Sequence, residues 1–290
     1  VVFDAACFII LTLVLFVVAY PLYWVIISSI SAPSAVSSGK VLLHPIGFTL
    51  KGYAEVFKND QVMRGFLNSL IITFCGVMIN LIVTLPTSYA LSRSNFSGKK
   101  PITIFYLITM FFSGGLIPTY LVIQRLQMLN TIWALILPGC LSVYNMIVAR
   151  TFFKSNISEE LYEAAEIDGC TQARFFFQIA LPLSKAIIAI LVLYYGVGHW
   201  NSYFSALVYI SDKAKYPLQL VLRNILITNQ TALSQTATTA AARAALQEKQ
   251  QLIDVMKYSL IIISSIPVLV MYPLVQKHFV KGVMIGSVKG

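Results

Sequence analysis

Six stretches of this chain run for about twenty residues or more without one Asp, Glu, Lys or Arg. They cover 5–30, 65–92, 101–124, 126–149, 186–211 and 258–276. A helix needs about 20 apolar residues to cross the hydrocarbon core of a bilayer, so each stretch is a candidate span. Charged residues make up only 11% of the 290 residues, and hydrophobic ones 58%. A soluble globular chain carries about 25% charged residues. A water-soluble fold of this length could not hide so much apolar surface, so lipid is the expected solvent. The expected fold class is all-α: a polytopic membrane protein with about six transmembrane helices, forming one domain over 1–290.

The formal net charge is +10. In a soluble chain that would suggest nucleic acid. Here the charges lie between apolar runs, where they report membrane orientation and anionic headgroups, so no nucleic-acid partner is expected. With six spans the loops alternate between 93–100, 150–185 and 277–290 on one side, and 31–64, a turn near Arg125, and 212–257 on the other. Total Lys and Arg barely separate them, at 10 against 11. Long loops cross largely regardless of charge. The short loop 93–100 and the tail 277–290 each carry three basic residues and no acid, which assigns the first set to the cytoplasm. The first run has no basic leader and no small-residue cleavage site, so it reads as a span and not a signal peptide. The chain starts without Met, so its natural start is expected upstream.

The four cysteines (Cys7, Cys75, Cys140 and Cys170) form no CxxC pair, which points to small buried hydrophobes and to no metal site. Apart from His199, no ionisable side chain sits well inside a run. Proton- and sodium-coupled carriers commonly place such groups there. The energy for transport should therefore come from outside this chain.

The segment 158–182 holds the densest acid cluster. Ser158 is a good N-cap, followed by Glu159 and Glu160 where a helix dipole favours anions. Gly169 suits the position just past a helix end. A helix of about ten residues, about 15 Å long, is expected between them. Helical spacing places Leu161, Ala164, Ala165 and Asp168 on one face. Two alanines there allow close approach by another surface. Phe175, Phe176 and Phe177 can anchor a second short helix, and Leu181-Pro182 should turn the chain into the fifth span. Physics alone allows a docking knob or an ordinary amphipathic loop helix.

The residues Glu163-Ala164-Ala165, Gly169 and Ile179-x-Leu181-Pro182 resemble the EAA motif of ABC-importer permeases, E-A-A-x3-G-x9-I-x-L-P, at every fixed position. Cys170 departs from the family's frequent Ala. The ending 272–290, Trp200-Asn201 and Tyr216-Pro217-Leu218 are similar to the carbohydrate-uptake, maltose-permease-like branch, and within it to permeases for oligosaccharides and polysaccharides such as plant-wall glycans or alginate. The resemblance implies a type I importer permease in the bacterial cytoplasmic membrane. It implies a cytoplasmic coupling helix that meets an ATP-binding subunit through Glu163, Ala164, Ala165, Asp168 and Gly169. The implied partners are a second homologous permease, two ATP-binding cassette subunits that hold ATP and Mg, and an extracytoplasmic solute-binding protein. This chain itself would have no catalytic residue and no cofactor. It contains no G-x4-G-K-[ST] phosphate loop.

Sugars are held by aromatic faces and side-chain hydrogen bonds. The resemblance therefore directs attention to Asn80 and Tyr89 in the second run, Tyr144 and Asn145 in the fourth, and Tyr195, His199, Trp200 and Asn201 in the fifth. Thr84, Thr87, Tyr194 and Tyr203 lie in the same runs. Each could equally tie helices together. Two further segments are expected to touch partners: the basic tail after Phe279, along the ATP-binding subunit, and the segment 229–251, at the binding protein. Two rivals stand beside this reading. A secondary carrier lacks its intramembrane charges, and a membrane-embedded enzyme would need an acid or metal cluster apart from 159–168.

Overall fold

Three helices in the computed structural model are long and apolar enough to cross a membrane: Phe3–Ser29, Asp60–Ser92 and Gln250–Pro273. Three bent pairs complete six: Lys99–Phe111 with Leu116–Arg125, Trp133–Gly139 with Val143–Asn156, and Gln172–Leu183 with Lys185–Trp200. The structure describes residues 2–231 and 240–286, and no strand occurs among them. The chain is an all-α polytopic membrane protein.

In chain order the helices are α1 (Val2–Ser29), α2 (Pro33–Ser37), α3 (Lys51–Lys58), α4 (Asp60–Ser92), α5 (Lys99–Phe111) and α6 (Leu116–Arg125). Then follow α7 (Trp133–Ile136), α8 (Val143–Asn156), α9 (Glu159–Ile167), α10 (Gln172–Phe175), α11 (Leu181–Leu183), α12 (Lys185–Trp200), α13 (Phe204–Tyr209), α14 (Leu218–Thr231) and α15 (Ala240–Gly286). The expected tail after Phe279 continues α15 as helical backbone to Gly286, and 287–290 lie outside the described residues. Residues 232–239 of the segment 229–251 also lie outside them.

Three runs depart from straight spans. In the third, α5 and α6 meet at 113°. Gly115 has φ +87°, a backbone that L side chains rarely adopt, and Pro118 lies in the first turn of α6, where a missing N–H does no harm. The fourth run begins helical structure at Trp133, not at 126. Gln127 and Asn130 have φ of 55° and 60°, and Asn130 is held there: its N–H donates to Tyr209 O at 2.8 Å, while its Oδ1 accepts from Ser211 N and Asp212 N. The span therefore shifts towards the C-terminus and ends at Asn156, taking Arg150 into its last turns. The fifth run stops being one helix at Trp200, and α13 follows a break. The chain enters this span at Ser184, not at Leu181-Pro182, through an 80° bend.

The chain divides into two compact units, Val1–Phe66 with Leu218–Pro267, and Leu67–Pro217 with Val268–Gly290. In the first, Ile27, Ala35, Val36, Val41 and Val255 form a small core. Trp24 packs edge-on to Tyr258 at 5.1 Å and donates from Nε1 to Val41 O at 2.8 Å. Gly52 lies so close to α15 that an added Cβ would sit 2.8 Å from Val255 Cγ1. None of the most apolar stretch of α1 is buried within the chain. In the second unit the core is Val77, Leu85, Tyr89, Ala149, Phe153, Ile157, Tyr162, Phe175, Phe176, Ala180, Ile187, Leu191 and Tyr195. Loop contacts within the units join Ser37 to Asp254, Asn130 to 211–215, and Ser94 to Glu159.

Candidate functional site: a capped helix under the spans

Helix α9 is closed at both ends by its own sequence. Ser158 Oγ accepts from Leu161 N at 3.3 Å. At the far end Gly169 takes φ +75°, its N–H reaches Glu166 O at 2.9 Å, and Cys170 N reaches Ala165 O at 2.9 Å. This is the Schellman pairing, with Cys170 and Ala165 packed on the same core beside it. Thr171 Oγ1 caps α10 by accepting from Arg174 N at 3.3 Å. Ser158→Ala is expected to weaken α9 by about 1 kcal/mol, read as faster amide exchange over 159–167; unchanged exchange would show that the cap does not hold this helix.

Helical spacing offers Leu161, Ala164, Ala165 and Asp168 as a face open to another surface, and of these only Ala165 turns inward. Tyr162 is buried, edge-on to Phe175 at 5.3 Å, and Ala165 turns inward beside it. Leu161, Ala164 and Asp168 face outward with Glu160, Glu163 and Ile167, which is 87% exposed. The larger apolar area of Tyr162 decides the rotation. Ile167 and Tyr162 escape sequence reasoning because one is an apolar residue between two acids and the other lies off the alanine face. Phe175 and Phe176 are buried and Phe177 is exposed, so two of the three phenylalanines anchor the segment. Below them Tyr89 completes the cluster, 5.0 Å from Phe176 and 5.6 Å from Phe153. Tyr89 thus belongs to the floor above α9.

Inside the spans, α4 presents Gly76, Asn80, Thr84 and Ser88 at four-residue intervals, one helix face. Asn80 Nδ2 donates to Gly139 O at 2.9 Å and Cys140 O at 2.8 Å, the carbonyls freed where α7 gives way to α8. Only the amide nitrogen can serve two carbonyls, so Asn80 Oδ1 accepts from His199 Nε2–H at 2.7 Å. Gly76 makes room for that ring: a Cβ there would lie 2.5 Å from His199 Nε2. The Thr84 and Tyr195 hydroxyls pair at 2.7 Å, Tyr195 Oη accepts from Ser142 N at 3.3 Å, and Ser88 Oγ donates to Met146 O at 3.0 Å. Thr87 bonds within its own helix to Val83 O. Trp200 is fully buried.

Tyr144, Tyr194, Asn201 and Tyr203 are exposed. Asn145 is buried, and it lines a cavity of about 450 Å³ with Leu193, Tyr194, Val197, Val268 and Tyr272. Of the residues singled out in the sequence, the structure brings together Asn80, Thr84, Tyr195 and His199 in one polar cluster. It places Asn145 with Tyr194 in another site and leaves Tyr144, Asn201 and Tyr203 outside both. Tyr272 carries no sequence signal beyond its place in the last span.

Three long apolar helices and three bent pairs thus share the chain with a helix, α9, capped at both ends. No protein-family model matches the chain. It is 36% identical to the polygalacturonan/rhamnogalacturonan transport system permease protein YtcP of Bacillus subtilis (strain 168), over 99% of this chain and 98% of that one. Protein LplC of the same organism is 40% identical over 93% of this chain and 89% of its own. Among solved structures, a chain of a bacterial ABC transporter involved in the import of the acidic polysaccharide alginate superposes with TM-score 0.85 at 28% identity, covering 96% of both chains. The chain belongs to the carbohydrate-uptake branch of ABC-importer permeases. It is a non-catalytic, multi-pass permease subunit of the bacterial cytoplasmic membrane, and it works as one part of a larger transport system.

Proposed function

We propose that this permease and a second, homologous permease line a path for oligosaccharide or polysaccharide fragments. An extracytoplasmic binding protein delivers the cargo, and two ATP-binding subunits drive the cycle from the cytoplasm. Those subunits hold ATP and Mg; this chain holds no cofactor. The observation that carries the reading is α9, a helix locked from beneath by Tyr162 while Leu161, Ala164, Ile167 and Asp168 face outward. Glu163, Ala164, Ala165, Asp168 and Gly169 form or shape the docking surface, and Ile167 adds an apolar tip. When ATP closes the ATP-binding pair, α9 moves with it and the spans reorient to release sugar inward. The relatives' cargoes, polygalacturonan, rhamnogalacturonan and alginate, support the class of substrate.

Asn145, Tyr194 and Tyr272 supply what a sugar needs around one cavity: two aromatic faces and an amide. Tyr272→Ala is expected to lower uptake about tenfold, from about 1.5 kcal/mol of lost aromatic contact, with the amount of assembled complex unchanged. Uptake at the normal level would remove Tyr272 from the path. The whole reading is tested by purifying the tagged chain with its associates and by thermal-shift screening of the binding protein against galacturonan and alginate oligomers. Recovery without an ATPase would sink the subunit arrangement, and no shift with any oligomer would sink the substrate class.

A further inference from the structure

One buried guanidinium joins the end of α4 to the start of α9. Arg93 is 4% exposed. Its Nη2 donates to Ile157 O at 3.0 Å and Phe153 O at 3.5 Å, carbonyls at the end of α8. Its Nε donates to Ser92 Oγ at 3.3 Å, and its charged carbon stands 5.1 Å over the Tyr89 ring. Its Nη1 faces Glu159 Oε2 at 3.7 Å. The other oxygen of Glu159 accepts from Ser94 N at 3.1 Å. The first residue of α9 therefore accepts a hydrogen bond from Ser94 through one carboxylate oxygen and forms an ion pair with Arg93 through the other.

We propose that Arg93 and Glu159 are a positioning pair that fixes α9 to the end of α4, so that movement of α9 is passed to the span carrying Asn80 and Thr84. The proposal rests on the reading of α9 as the coupling helix. Between α8 and α9 only Ile157 and Ser158 intervene, and a two-residue joint can flex. Ile157 and Tyr162 pack against the core on one side of the joint, while a cavity of about 380 Å³ lies beside Arg93, lined by Pro86, Tyr89, Phe96, Phe176 and Phe177 among others. The pair adds a polar tie from α9 to α4 that apolar packing does not provide. Arginine withdrawn from its partners would leave an uncompensated buried charge, and its planar fork can hold two carbonyls and a carboxylate together. Lysine is a single-point donor and cannot hold all three.

The test uses the complete importer, with ATP-binding subunits and binding protein, in proteoliposomes. Sugar moved per ATP hydrolysed is measured for Glu159→Gln and Arg93→Lys at equal amounts of assembled complex. Glu159→Gln keeps an acceptor for Ser94 N–H, so it removes the charge pair and little else. Both variants are expected to lower the ratio about tenfold, within the range of couplings between distant sites, while ATP hydrolysis continues. A merely structural role would lower the yield of complex and leave the ratio at the wild-type value, and that result overturns the proposal. A cysteine placed by Ile167→Cys reports on the underlying reading separately. If it cross-links to an ATP-binding subunit while both ratios stay normal, only the Arg93–Glu159 proposal fails. If no cross-link forms, α9 is not the docking helix and both fail.

Discussion

Gly169→Pro is expected to abolish transport while leaving the spans folded. Gly169 has φ +75°, and proline is fixed near −65°. Proline also lacks the N–H that reaches Glu166 O at 2.9 Å. The helix end must rearrange, at a cost of about 3 kcal/mol or more, which is about a hundredfold in the population of the formed end. The site is open, with nothing within 4 Å of an added Cβ, so the penalty is conformational and not steric. A graded series separates these causes. Gly169→Asn should retain most uptake, because Asn tolerates the left-handed region. Gly169→Ala should lose about 1 kcal/mol of end stability. Uptake by proteoliposomes checks the series, and normal uptake in Gly169→Pro would remove α9 from the coupling mechanism.

The second large effect is expected inside the spans. Asn80→Leu strands the carbonyls of Gly139 and Cys140 and the Nε2–H of His199. Each buried polar group left unpaired costs about 1–3 kcal/mol, so a loss of about 3 kcal/mol or more is expected. Single hydrogen bonds in membrane proteins average only about 0.6 kcal/mol when both partners can find others. Here the first figure should win, because the two carbonyls are freed by the helix break and have no helical N–H to return to. Asn80→Asp keeps an acceptor for His199 but removes both donors, so it should rescue little. Thermal unfolding in detergent measures both variants. An unchanged midpoint for Asn80→Leu would mean that water or a neighbour serves the break and that Asn80 does not hold it.

Much of this is legible in the amino-acid sequence. Six charge-free runs announce the solvent, because no soluble chain tolerates them. Ser158 and Gly169 announce a capped helix, because caps are local hydrogen bonds between near neighbours. The breaks were less legible. Hydropathy cannot distinguish an apolar helix from an apolar turn, so the expected fourth span starts seven residues early; Asn130 is held in left-handed backbone by contacts with 209–212, far along the chain. The polar cluster was legible only as a set of residue types. Asn80 and His199 lie 119 positions apart, so nothing local says that they meet. The inward turn of Ala165 is not legible for the same reason: Phe175, which receives Tyr162 beside it, is placed by the fold.

The basic residues after α4 have a second occupation. Lys99 Nζ donates to Arg93 O and Ser94 O, Arg150 Nε donates to Leu91 O, and Arg93 holds the start of α9. Arg93 and Lys99 also belong to the short basic loop that retains its side of the bilayer during insertion. Biogenesis and the working stroke therefore draw on the same side chains. A substitution that removes one of these cations changes how the nascent protein is threaded as well as how the mature one moves. Neither property can drift without the other, which leaves this small stretch with less freedom to vary than its place in a short loop would suggest.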